Sequence, residues 1–294
     1  MKTGYIALIG RPNVGKSTLL NHLLGYKLSI TSRKPQTTRH RILGIKTTDS
    51  MQAVFVDTPG IHHGGKRAMN RYMNRTASMS ILDVDIIVWV TDIQEWNDND
   101  EVILEKLKDS KTPVILALNK IDKVADKDEL LPRVDELAKR FPFKEIIPLS
   151  ALKSDNLERL ESLIYELLPE GIPFYPEDQV TDRTERFLAS EIVREKLFRK
   201  LGQELPHAIT VEIESYEDSE KLVRIQAIIW VERDGQKTIV IGEKGKVLKT
   251  IGQRARIDIE QLVGKKVYLG LWVKVKKGWS DNERALQSLG YLDR

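Results

Sequence analysis

Gly10-Arg11-Pro12-Asn13-Val14-Gly15-Lys16-Ser17 lies between the apolar run Tyr5–Ile9 and a helix-like stretch, Lys16–Leu24. That order suits the capture of a polyphosphate. Gly10 and Gly15 let the backbone wrap closely, successive N–H groups and the helix amino terminus supply donors, and Lys16 neutralises the β and γ phosphates. The Ser17 hydroxyl is then placed to ligate Mg²⁺, with Arg11, Pro12, Asn13, Val14 and Thr18 completing the cradle. Asp57-Thr58-Pro59-Gly60-Ile61 follows another apolar run, Ala53–Val56. There Asp57 can hold the same ion through water while the Gly60 N–H meets the γ-phosphate. D-x-x-G is too short to count by itself, and its place at a strand end gives it meaning.

Asn119-Lys120-Ile121-Asp122 follows the run Val114–Leu118 and has the chemistry of a base reader. Guanine offers N1–H and N2–H to a carboxylate, so Asp122 accepts both, whereas adenine offers neither and would leave a buried charge unpaired. GTP and GDP are therefore the expected ligands rather than ATP. Asn119 braces the loop, and the Lys120 stem covers the ring face. Ser150-Ala151-Leu152 completes the pocket, with the Ala151 N–H directed at guanine O6.

These motifs need a scaffold that gathers strand ends. Strands are expected at Tyr5–Ile9, Ile42–Lys46, Ala53–Val56, Ile86–Thr91, Val114–Leu118 and Ile146–Leu149. Helices are expected near Lys16–Leu24, Ala68–Leu82, Asn99–Lys108, Glu129–Arg140 and Leu157–Leu168. The alternation predicts an α/β domain over residues 1–170, a mostly parallel sheet with helices on both faces. Pro169, Pro173 and Pro176 surround Gly171, and prolines so placed favour extended chain, so 171–184 reads as a linker. Over 185–294 the pattern gives a helix (Glu185–Leu201), two strands (Ala208–Ile213, Leu222–Trp230), a short strand (Thr238–Ile241), a helix (Lys246–Leu262) and a strand (Val267–Val275).

Composition narrows the classes. The chain has no cysteine, which excludes disulfides and thiolate metal sites and fits a reducing cytosol. Tyr5–Ile9 is too short for a signal-peptide core, and no apolar run approaches the ~20 residues that span a bilayer. A cytoplasmic monomer with at most peripheral membrane contact is expected. The net charge of +4 is unevenly spread, because Lys237–Lys277 carries 11 basic against 3 acidic residues. A polyanion is the natural partner for that segment.

The nucleotide motifs together resemble those of the translation-factor-related small GTPases across the first ~165 residues. The resemblance implies a GTPase that turns GTP into GDP and phosphate, with Lys16, Thr38 and Gly60 acting on the γ-phosphate. Thr38 of Gln36-Thr37-Thr38-Arg39-His40 is assigned to switch I and so to Mg²⁺ beside Ser17 and Asp57, with Thr37 as the alternative. Ile61 stands where Ras-like enzymes carry a water-orienting glutamine. Slow intrinsic turnover follows as an expectation, and the resemblance to GTPases with such a replacement adds K⁺ as a candidate, held by Asn13. His62-His63-Gly64-Gly65-Lys66 reads as a switch II loop rather than a metal site, since adjacent histidines diverge.

Ile241-Gly242-Glu243-Lys244-Gly245-Lys246, with Lys249, sets a G-x-x-G loop before a basic amphipathic helix. The glycines admit a nucleic-acid backbone, and the lysines neutralise phosphates. This segment resembles a KH domain of the bacterial type II order, helix–strand–strand–helix–helix–strand. Such a groove takes about four nucleotides of single-stranded RNA. A GTPase domain joined to a KH domain with a carboxyl-terminal extension resembles the Era GTPases over essentially the whole chain. That resemblance implies the 3′ end of 16S ribosomal RNA and the 30S precursor as partners, a role in small-subunit assembly, and peripheral contact with the inner membrane. The alternative is a signalling or membrane-recruitment GTPase whose basic domain binds protein or anionic lipid. An RNA-cleaving enzyme is disfavoured, because no acidic cluster or histidine pair stands near the basic loop.

Overall fold

The computed structural model describes residues 1–32, 34–61, 67–126, 128, 130–202 and 208–291. The chain divides into two compact units, the first ending at Asp182 and the second beginning at Arg183, with the described residues of 32–37 and 67–69 grouped with the second.

The first unit is a six-stranded sheet in the order β2-β3-β1-β4-β5-β6. Its strands are β1 (Lys2–Ile9), β2 (Ile42–Thr47), β3 (Met51–Asp57), β4 (Ile86–Asp92), β5 (Val114–Asn119) and β6 (Glu145–Leu149). Only the β2–β3 pair is antiparallel; β1 pairs in parallel with β3 and β4, and β4–β5–β6 continue in parallel. The helices are α1 (Lys16–Leu24), α2 (Ala68–Met79), α3 (Asp98–Leu107), α4 (Leu130–Ala138) and α5 (Leu157–Leu167). Every residue of β3, β4 and β5 is buried, as strands covered on both faces require. The order reverses at β1, so the crevice beyond its carboxyl end is where a ligand gathers.

The proline-bearing stretch is fastened to this sheet. Phe174 and Tyr175 donate their N–H groups to Gln52 Oε1 at 2.7 and 3.0 Å. Farther on, Ile45 N–H donates to Val180 O, Thr181 bridges Gly44, and the Leu43 N–H reaches Asp182 Oδ1 at 3.1 Å. Prolines forbid a helix there, and the freed backbone groups find partners on β2 and β3 instead of water.

The second unit runs α6 (Glu185–Lys200), β7 (Thr210–Asp218), β8 (Leu222–Val231), α7 (Asp234–Ile241), α8 (Lys246–Val263), β9 (Lys266–Val275) and α9 (Glu283–Ser288). Its sheet is ordered β7-β8-β9, with β7–β8 antiparallel and β8–β9 parallel. Val223, Ile225, Ala227, Ile229 and Val231 of β8 pack in one core with Val193 and Leu197 of α6 and Ile251, Ala255 and Ile259 of α8. The last segment closes one end, where Trp279 Nε1 donates to Ala208 O at 3.2 Å and Tyr291 stacks on Trp279.

One expectation fails. Thr238–Ile241, read from its β-branched residues as a strand, is the end of α7. Gln236 Oε1 accepts the N–H groups of Glu232 and Arg233 at 2.8 and 3.0 Å and so fixes the helix start. Val240 is buried while Ile239 stays 52% exposed, a one-sided burial that tertiary packing imposes over local β-propensity. The helix–strand–strand–helix–helix–strand order is thereby complete.

Candidate functional site

The phosphate loop leaves the end of β1 in left-handed backbone. Gly10 and Gly15 have φ of 148° and 106°. A Cβ on Gly10 would lie 2.2 Å from Val90 O and one on Gly15 2.3 Å from Asn119 Nδ2. Lys16 is buried, and its Nζ donates to the carbonyl oxygens of Gly10 and Arg11, both at 3.0 Å. Burial brings its ammonium down to about 8, against the pull of the Asp57 carboxylate. An incoming phosphate would supply the missing counter-charge.

Ser17, Thr38 and Asp57 converge. Ser17 Oγ is 2.9 Å from Thr38 Oγ1 and donates to Asp57 Oδ2 at 2.9 Å. The second carboxylate oxygen, Asp57 Oδ1, is buried with no hydrogen-bond partner, and burial raises the Asp57 pKa while Lys16 opposes that shift. Two hydroxyls and an orphaned carboxylate oxygen are hard donors that fit Mg²⁺. Thr37 turns elsewhere, its Oγ1 donating to Lys34 O at 2.6 Å.

Gly60 sits against the loop so closely that a Cβ would lie 2.6 Å from Pro12 N. Ile61 donates its N–H to Gly10 O at 3.2 Å, and its side chain joins the core with Ala7, Ile9 and Trp89. It therefore supplies no group to an attacking water. Thr58 is also directed inward, its Oγ1 donating to Leu8 O at 2.9 Å, so only its backbone can face a nucleotide. Pro59 completes the turn, Asn13 is exposed with φ 66°, and Thr18 lies in the first turn of α1. His62 to Lys66 lie outside the described residues.

The base-reading end is prebuilt. Asn119 Nδ2 donates to Val14 O at 2.7 Å, tying the β5 loop to the phosphate loop. Ser150 Oγ donates to Asp122 Oδ1 at 2.5 Å, holding that carboxylate. The Ala151 N–H, expected to face guanine O6, donates to Asn119 Oδ1 at 2.9 Å, and Leu152 is exposed. Lys120 takes left-handed backbone, φ 73°, and its Nζ contacts Asp92 Oδ2 at 2.7 Å.

Sequence reasoning passed over three carboxylates. Asp92 fixes Lys120, while Asp100 and Glu95 hold the Arg11 guanidinium at 3.1 Å each. Asp100 is fully buried and also accepts from Thr91 Oγ1 at 3.0 Å. Arg11 thus lends the loop its backbone and turns its side chain away. Asp92 ends β4 as Asp57 ends β3, which was the available signal. Asp100 carries only a helix-start signal, since it accepts the Asn97 N–H at 3.1 Å as the third residue of the cap of α3, and nothing local points it to Arg11.

In the second unit Gly242 (φ 72°), Lys244 (φ 48°) and Gly245 (φ 76°) make a tight loop between α7 and α8. Glu243, Lys244, Lys246 and Lys249 are exposed, and Ile241 precedes them at the end of α7. Beside the loop runs a groove of about 420 Å³ lined by Gly245, Leu248, Lys249, Gly252, Gln253, Arg256, Leu269 and Leu271. Basic rims over an apolar floor suit a single-stranded nucleic acid. No helix among the described residues is long and apolar enough to cross a membrane.

Comparison with known proteins agrees with both halves. A family described as 50S ribosome-binding GTPase matches residues 5–120, and a KH domain family matches residues 204–280. GTPase Era of Ectopseudomonas mendocina is 59% identical over 292 residues, 99% of this chain and 98% of that protein. GTPase Era of Marinobacter nauticus is 58% identical, covering 99% and 96%. A crystal structure of an Aquifex aeolicus Era variant bound to GDP and AlF4⁻ matches with TM-score 0.96 and 43% identity over the whole of both chains. So does Era in complex with MgGDPNP and nucleotides 1506–1542 of 16S ribosomal RNA, at TM-score 0.97 and 43% identity.

Proposed function

Because this chain belongs to the GTPase Era family, we propose that it is a Mg²⁺-dependent GTPase whose KH domain binds the 3′ end of 16S ribosomal RNA during small-subunit assembly. The observation that carries the reading is the meeting of Ser17, Thr38 and Asp57 beside the buried Lys16. The domain limits that go with it are 1–170, a linker over 171–184, and 185–294.

Each residue has a physical task. The loop from Gly10 to Ser17 wraps the phosphates, and Lys16 answers the charge that grows on them. Ser17, Thr38 and Asp57 would hold Mg²⁺, which neutralises charge on the β and γ phosphates when bound. Gly60 offers its N–H to the γ-phosphate from beside Pro12. Asp122, oriented by Ser150, accepts from guanine, and Asn119 fixes the distance between base and phosphate ends. Ile61 leaves the water without a side-chain guide, so turnover by the protein alone is slow, with Asn13 as the residue to hold K⁺. Gly242 to Lys246 and Lys249 take the RNA backbone. The protein works in the cytoplasm, with peripheral inner-membrane contact as a further site of action, and GTP and RNA affinities are linked reciprocally.

The test is binding and turnover with GTP and ATP in K⁺ and Na⁺ buffers, with and without RNA of segment 1506–1542. Guanine preference and tighter RNA binding with a GTP analogue than with GDP support the reading. Equal binding of GTP and ATP sinks it, and equal rates in the two buffers remove K⁺.

A further inference from the structure

β9 is the edge strand of its sheet, and its two faces differ. Val267, Leu269, Leu271, Val273 and Val275 point to the helices and join the core, Leu269 and Leu271 also flooring the groove. The alternate residues Lys266, Tyr268, Gly270, Trp272 and Lys274 form a row on the other face, where strand alternation must put them. Tyr268 is 51% and Trp272 60% exposed. Large aromatic groups left in water between lysines are an unusual use of surface, since burying them would be strongly favourable.

The neighbouring row on β8 deepens this surface. In register, Arg224 lies beside Tyr268, Gln226 beside Gly270, Ile228 beside Trp272 and Trp230 beside Lys274. Gln226 fills the space that Gly270 leaves, with its Oε1 buried and without a hydrogen-bond partner. Lys274 and Lys276 hold their ammonium groups 6.0 and 5.6 Å from the Trp230 ring. The β8 and β9 rows contain basic side chains and no acid. The acids of this face lie on β7, where Glu212 is engaged by Trp230 Nε1, Glu214 stands 3.6 Å from Lys274, and Glu217 lies opposite Arg224 in register.

We propose that the outward row of β9 is a second RNA-contact surface, which takes unpaired bases of the strand that has passed through the groove. It rests on the RNA-binding reading above. Tyr268 and Trp272 are about 13 Å apart along the strand, and paired aromatics on an open sheet face stack two or three bases in other RNA readers. Lys266 and Lys274 at the two ends of the row take phosphates. A strand leaving the groove over Leu269 and Leu271 needs only to cross the sheet edge to reach this row.

The test compares two RNA lengths on the full chain. One is the segment 1506–1542 of 16S ribosomal RNA; the other is the tightest-binding tetranucleotide cut from it. Trp272→Ala and Tyr268→Ala should each weaken the long RNA by about 5- to 150-fold, leave the tetranucleotide unchanged, and leave GTP turnover unchanged. Trp272→Phe should restore most of the loss, which a folding defect would not predict. Lys274→Gln should lower the salt dependence of long-RNA binding by about one counter-ion. Unchanged long-RNA affinity in both aromatic variants overturns the proposal and leaves the face to a protein partner. An equal loss for both lengths overturns it too, because the row would then only support the groove. Wild-type protein that binds neither RNA removes the parent reading instead.

Discussion

Two glycine loops open helices in this protein, and they are built for opposite ligands. The loop before α1 is closed in by its neighbours: Val90 O, Asn119 and Gly60 approach until no Cβ has room. The loop before α8 is pinned on one side only, where a Cβ at Gly242 would strike Val247, while Gly245 has open space around it. A small polyphosphate is recognised by enclosure, so its cradle is fixed in advance by contacts behind the loop. A polymer must pass through its site, so the second loop keeps a free side and leaves charge to do the holding.

Substitutions at matched positions would break that comparison or sharpen it. The largest effect is expected for Gly15→Ala, which forces a Cβ to within 2.3 Å of Asn119 and strains left-handed backbone. Nucleotide affinity should drop by roughly 100-fold or more, a cost of about 3 kcal/mol, measured by titration with a fluorescent GTP analogue. A milder loss would mean that the cradle is looser than its contacts imply. Asp122→Asn should come next. Exchanging a charge-assisted pair for a neutral amide costs about 1.5–3 kcal/mol, and competition between GTP and ATP should show the guanine preference shrinking by about 10- to 150-fold.

Smaller effects belong to the open loop. Lys244→Asp should weaken RNA binding by roughly tenfold and reduce its salt slope by one to two counter-ions, with GTP turnover intact, as paired filter-binding and phosphate-release assays can show. Gly245→Ala meets no atom and pays only for φ +76°, about 1 kcal/mol, so RNA affinity should fall about fivefold. If Gly245→Ala proved as damaging as Gly15→Ala, the second loop would be a closed site after all.

The parts of the site that the sequence exposed are those where backbone geometry and ligand chemistry restrict the residue at each position. Gly10, Gly15, Lys16, Ser17 and Asp57 answer to the phosphate, and Asp122 answers to the base. Their spacing is set by a strand end and a helix start, which hydrophobic periodicity locates well. Most of what stayed hidden depends on neighbours distant in the chain. The Asp100 carboxylate meets Arg11 only because β1 and β4 pair, and the Ala151 N–H turns to Asn119 because β5 and β6 pair. The misread Thr238–Ile241 has the composition of a strand, and only the cap supplied by Gln236 and the burial of Val240 decide for helix. The groove walls Leu269 and Leu271 look like any strand core until the sheet ends at β9.

The stretch around Val180 to Asp182 has a further consequence. β2 is the outer strand of a six-stranded sheet, and such a strand invites pairing with another molecule unless something occupies it. Here the chain occupies it with its own backbone and one side chain, through Val180 O, Thr181 and the Asp182 carboxylate. A fragment of the GTPase half cut just after its last helix would lose that guard and tend to associate through β2. One carried on to Asp182 would keep it and stay dispersed.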